Sequence, residues 1–106
     1  MTPQTALVLE ALLAAPTEDR YGFELLRVTR LQSGTLYPIL ARLEGLGILE
    51  SGWEQEDPER KGPRRRYYRF SRDGAIGARG LVAEHRRKRS SPVRVRALRP
   101  AFGGPQ

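Results

Sequence analysis

The chain has no cysteine and only one histidine among its 106 residues. Without cysteine there is neither a disulfide framework nor a thiolate metal site, and the redox compartment is left open. With His85 alone, a histidine-rich metal site is excluded. A serine, histidine and acid grouping is not expected either, because that one histidine lies toward the basic carboxy-terminal end. No run approaches the roughly 20 apolar residues that span a bilayer. The amino-terminal stretch MTPQTALVLEALLAAP lacks the basic region of a signal peptide, and Glu10 interrupts its apolar run. The glycine-spaced GAIGARG, Gly74 to Gly80, fits neither GxGxxG nor the Walker lysine pattern, so no nucleotide site is expected. No acid/base pair stands in a plausible pocket. The expectation is a non-enzymatic, cytoplasmic protein with no metal and no cofactor.

What the chain does have is positive charge, unevenly placed. The net charge is +7, with 19 Lys or Arg against 12 Asp or Glu. Residues 85–106 hold seven of the basic residues and no acid, which leaves residues 1–84 balanced at twelve of each sign. A single cluster stands out within that neutral stretch, KGPRRRYYR. Excess positive charge so concentrated suits polyanions, nucleic acid above all. A basic tail that only keeps the protein soluble is the blander alternative.

The pattern along the chain is helix, helix, turn, helix, strand, charged loop, strand, helix. Leu7, Val8, Ala11, Leu12 and Ala15 recur at spacings of three and four, predicting a helix over Thr5 to Ala15, with Thr2 as N-cap and Pro16 ending it. Tyr21 to Val28 reads as a short helix with Phe23, Leu26 and Leu25 inward, followed by a turn over Thr29 to Gln32. In SGTLYPILARLEGLGILE, Ser33 is a good N-cap, and Leu36, Leu40 and Leu43 form one buried stripe. Gly45 and Gly47 stop that helix. Ile48 to Glu54 and Arg64 to Phe70 alternate as strands around a turn-rich loop. Ser71 caps a last helix, Asp73 to about Arg89, with Ile76, Leu81 and Val82 as its main apolar residues.

That order gives an α+β, mainly α fold: a winged helix-turn-helix with a two-stranded wing and one C-terminal helix. The expected division is a DNA-binding domain over 1–72, a dimerisation helix over 73–89, and a basic, disordered tail over 90–106. In such readers the second helix of the motif enters the major groove by its amino end. Here that end carries Gln32, Ser33, Thr35, Tyr37 and Pro38, with Arg42 a turn further on. Pro38 lies near the first turn, where lost helix bonds cost little. A proline that merely stiffens the helix start is the competing reading. Lys61, Arg64, Arg65 and Arg66, with Arg60, make the wing a probe for phosphates or the minor groove. Glu54, Glu56, Asp57 and Glu59 lie on the same hairpin and could neutralise it in surface ion pairs.

Three separated blocks resemble the PadR family of bacterial transcriptional regulators. They are SGTLYPILARLE, the Gly-Ile-Leu-Glu after it, and RRRYYRFS leading into Ser-Arg-Asp-Gly, within roughly residues 5 to 80. The resemblance implies a winged helix that binds operator DNA as a homodimer, usually repressing, and so a cytoplasmic, nucleoid-associated protein. Its partners would be double-stranded DNA and a second copy of itself. It implies DNA contact at Ser33, Thr35, Tyr37, Pro38, Arg42 and Arg64 to Arg66, with Tyr21 near phosphate. Leu7, Leu12, Ile76, Leu81 and Val82 are the candidate dimer face. Some members respond to small phenolic or hydrophobic compounds, but no residue here specifies such an effector. A winged-helix protein-interaction module and a non-specific architectural DNA binder are the alternatives.

Overall fold

The computed structural model describes residues 1–55, 57–59 and 62–90. The expectations for Glu56, for Arg60, for Lys61 and for the tail beyond Ser90 lie outside the described residues. The elements run α1 (Pro3–Leu13), β1 (Arg20–Tyr21), α2 (Gly22–Thr29), α3 (Ser33–Gly45), β2 (Leu49–Trp53), β3 (Arg66–Phe70) and α4 (Gly74–Ser90). This is the expected winged helix-turn-helix with one addition. β1 joins the two wing strands to make a three-stranded antiparallel sheet in the order β1-β3-β2. Two residues are too few to show alternation, so this strand exists only through its partners, Arg20 opposite Tyr68 and Tyr21 opposite Tyr67.

α1 starts as its sequence dictates. The Thr2 hydroxyl accepts from the Thr5 amide at 3.1 Å, and Pro3 sits where its missing N–H costs nothing. Its buried face is Ala6, Val8, Leu9, Ala11 and Leu12, so Leu9 replaces Leu7, which is exposed. The stripe is wider than periodicity suggests because α1 packs against three helices, α2, α3 and α4.

α2 begins one residue later than expected. Tyr21 takes the N-cap position, and its amide donates to the Glu24 carboxylate at 2.9 Å. Leu25 is buried and Leu26 is partly so, but Phe23, expected inside, is exposed. Its ring leaves the core to stack on Tyr21, with centroids 5.6 Å apart. The turn to α3 is closed by Thr29, whose hydroxyl donates to the Leu25 carbonyl (2.6 Å) and accepts from the Leu31 amide (3.2 Å).

α3 buries Leu36, Leu40 and Leu43, as its leucine spacing predicts. It ends in a Schellman motif. The Ile48 amide donates to the Leu43 carbonyl, the Gly47 amide donates to the Glu44 carbonyl, and Gly47 has φ 79°. Only glycine takes that left-handed conformation without steric cost. β2 then pairs along β3, with Leu49 opposite Phe70 and Ser51 opposite Tyr68. Leu49 and Tyr68 face the core.

α4 packs against α1 and buries Gly74, Ala78 and Val82, small residues at a spacing of four that let the helix come close to its neighbours. Ser71 was expected to cap this helix. Instead its hydroxyl donates to the carbonyl of Gly47 at 2.5 Å and reaches that of Ile48 at 3.3 Å, fastening the end of β3 to the start of β2. Two members of the candidate dimer face are corrected here. Leu12 and Val82, 1% and 5% exposed, belong to the interior of the subunit, because the α1–α4 contact consumes them. Ile76 is 69% exposed, and Leu7 and Leu81 also remain at the surface.

Candidate nucleic-acid interface

α3 presents its core leucines on one side and a polar surface on the other. Gln32, Ser33, Gly34, Thr35, Tyr37, Pro38, Ala41 and Arg42 are all exposed. Gln32, not Ser33, holds the N-cap position, with extended backbone (φ −77°, ψ 157°). Its carbonyl accepts from the Thr35 and Leu36 amides, both at 2.9 Å, so Ser33 becomes the first helical residue. The Gln32 side chain accepts nothing from the first turn, unlike Thr2 at α1. The leading amides of α3 therefore point outward with the positive end of the helix dipole, an arrangement suited to a phosphate.

Gly34 adds to this. A Cβ built on it would meet nothing within 4 Å, so its smallness serves no packing need of the subunit. Pro38 sits in the second turn and removes the bond its amide would make to the Gly34 carbonyl. α3 continues through it without interruption. Tyr37 is 39% exposed, and its ring edge rests on the backbone of Gly22. A Cβ at Gly22 would stand 2.5 Å from the Tyr37 hydroxyl, so the glycine at the head of α2 sets where this ring lies.

The wing arginines divide by what holds them. Arg64 is exposed and has no carboxylate partner among the described residues. Arg65 is clasped by Glu54, which holds its guanidinium above the usual range chiefly through their hydrogen bonds. Arg66 donates to the Ser51 hydroxyl at 2.7 Å and lies over the Trp53 ring at 5.2 Å. Ser51 donates in turn to Glu44 at 2.7 Å, tying the wing to the end of α3. Tyr68, beneath Arg66, is buried, and burial pushes its phenol up against the opposing pull of that arginine. Of the described hairpin acids, Glu54 engages Arg65 closely. The expected pairing of hairpin acids with wing arginines is seen at Glu54 and Arg65, whereas the link from Arg66 through Ser51 to Glu44 of α3 joins separate elements and has no local sequence signal.

Tyr21 is half-buried, with Arg65 4.4 Å above its ring. The structure gathers Gln32, Ser33, Thr35, Tyr37 and Pro38 at the amino end of α3, puts Arg42 in the last turn of that helix, and sets Arg64 to Arg66 at the base of the wing. Among the described residues no group of acids and histidine could hold a metal ion, and no helix is long and apolar enough to cross a membrane.

Residues 11–80 match the family model described as the transcriptional regulator PadR-like family. Among solved structures, a PadR family transcription regulator from Clostridium difficile R20291 is 24% identical, with 88% of this chain and 97% of that one covered at a TM-score of 0.67. A PadR family transcriptional regulator from Eggerthella lenta DSM 2243 is 23% identical, covering 91% and 87%, at a TM-score of 0.65. A protein from Streptococcus mutans UA159 is 26% identical, covering 93% and 98%, at a TM-score of 0.63. Comparison with curated proteins gives no match.

Proposed function

We propose, from the premise that the chain belongs to the PadR-like family of transcriptional regulators, that it is a sequence-specific DNA-binding protein acting as a homodimeric repressor on a near-palindromic operator. The observation that carries this reading is the division of α3. Leu36, Leu40 and Leu43, with Ile39 beside them, anchor it in the core, and its amino-terminal face is exposed. In this reading Thr35 meets a phosphate or a thymine methyl, and Arg42 meets guanine or phosphate. Gln32, Ser33, Tyr37 and Pro38 line the same approach, while Tyr21 lies near the backbone. Arg64 supplies a phosphate contact from the wing. Such a regulator works in the cytoplasm on the nucleoid.

A selection for bound DNA from random duplexes tests specificity, symmetry and spacing together. The expected product is a near-palindrome whose half-sites lie about 34 Å apart, one helical turn. Recovery of no preferred sequence would remove the claim of specificity and favour an architectural binder. No affinity for any duplex at low salt would favour a protein-interaction module.

The dimer face in this reading is Leu7, Ile76 and Leu81, apolar and exposed on α1 and α4. Replacing both Ile76 and Leu81 by glutamate is expected to halve the sedimenting mass while leaving the melting transition cooperative, because neither side chain is part of the subunit core. An unchanged mass would place the interface elsewhere.

A further inference from the structure

We propose that Glu54 is a positioning residue for DNA binding: its carboxylate clasps Arg65 against the Tyr21–Phe23 ring pair, so that Arg65 fixes the wing on α2 instead of contacting phosphate. This rests on the DNA-binding reading above and assigns different work to two residues of one arginine run.

The clasp is close. The Glu54 carboxylate accepts from the Arg65 backbone amide at 3.0 Å, from Nε at 3.1 and 3.2 Å, and from Nη2 at 3.1 Å. The guanidinium carbon lies 4.4 Å from the Tyr21 ring centroid and 5.3 Å from that of Phe23, and the two rings are stacked 12° from parallel. Three elements meet at this point. The Glu54 amide donates to the Arg65 carbonyl at 2.9 Å, extending the β2–β3 ladder by one rung. Tyr21 pairs with Tyr67 of β3 and also heads α2. The base of the wing is thereby joined to the helix that precedes α3.

Burial decides which partner Arg65 keeps. The Glu54 side chain is 13% exposed, against 39% for that of Arg65. A phosphate that drew the guanidinium away would break the hydrogen bonds it makes to a largely buried carboxylate, a penalty larger than one exposed phosphate contact returns. The planar fork and the ring stacking are both properties of arginine that lysine does not reproduce. Arg64, one residue earlier, carries no such restraint among the described residues.

The test is binding to the selected duplex across a salt series, with Glu54→Gln and Arg65→Lys beside the wild type. On charge alone, removing an acid from a wing that faces DNA would strengthen binding. The clasp reverses that sign: E54Q is expected to bind about threefold or more weakly. The slope of log affinity against log salt should stay at the wild-type value, since no phosphate contact is lost. R65K keeps the charge but not the fork, and is expected to weaken binding similarly. Arg64→Ala should make the slope shallower by about 0.9. Unweakened binding by E54Q, or wild-type binding by R65K, overturns the proposal. If E54Q does not fold, R65K decides alone. A wild-type protein that binds no duplex overturns the parent reading as well, an outcome distinct from either.

Discussion

Replacing Gly74 by alanine is expected to destabilise the protein by about 3 kcal/mol, the upper range for forcing an extra carbon into a packed site. A Cβ at this position would run into the backbone carbonyl oxygen of Ile48, with the Ser71 hydroxyl 2.8 Å away. Neither neighbour is at liberty to move. The Ile48 carbonyl accepts from the Ser71 amide at 3.0 Å, and the Ser71 hydroxyl is held at Gly47. The new methyl group must therefore separate α4 from the start of β2. In a domain of this size a loss of that order lowers the melting temperature by roughly 10 °C or more, a large share of a stability that is marginal to begin with.

Gly77 and Gly80 provide the control, since a Cβ on either meets nothing within 4 Å. Each alanine there should raise stability, by up to about 1 kcal/mol, through lower backbone entropy in the unfolded chain. Thermal or urea unfolding of the three variants checks the contrast. Equal effects at all three positions would mean that the close approach of α4 to β2 does not carry the joint.

The second large effect is expected at the amino end of α3. Gly34→Ala should leave stability unchanged or slightly raised, by a few tenths of a kcal/mol up to about 1, yet weaken binding to the selected duplex by about tenfold or more. The subunit itself has no use for the missing side chain, because the space beside Gly34 is open. Any loss on adding a methyl group must then come from what approaches that surface. Arg42→Ala, on the same helix, should cost about 1–3 kcal/mol of discrimination, so the selected duplex suffers more than a random one. Melting curves and duplex titrations on the same preparations separate the two quantities. Undiminished binding by Gly34→Ala would show that the amino end of α3 does not read DNA, and equal losses for Arg42→Ala on both duplexes would show the same of its last turn.

Several features of this protein were legible in its residues because they depend on neighbours close along the chain. The leucines of α3 recur at helical spacing and are buried where that spacing puts them. Thr2 and Pro3 begin α1, and Gly47 ends α3, for reasons confined to one turn of backbone. The local arguments were less secure where two residue types competed for one role. Ser33 looked like the cap of α3, but the extended Gln32 before it accepts the first helical bonds.

Phe23 shows the limit of periodicity. Its spacing placed it inward, but aromatic stacking on Tyr21 and the cation above it hold it at the surface. Leu12 and Val82 show the opposite error. Both are apolar at plausible positions for a partner, and both were consumed by the contact between the first and last helices. The burial of Leu12 and Val82 depends on a helix far away along the chain, and for Phe23 the stacked Tyr21 is near in sequence but the cation of Arg65 comes from the wing.

The sequence alone determined the order of the four helices and the two wing strands, the leucine core of α3 and the basic character of the wing, since hydrophobic period, turn chemistry and charge are properties of short stretches. Only the tertiary structure decided which acids the wing arginines meet, which apolar residues remain at the surface, and that Arg20 and Tyr21 complete the sheet. Those outcomes are set by pairings between distant segments, where burial and hydrogen-bond geometry, not residue type, choose the partner.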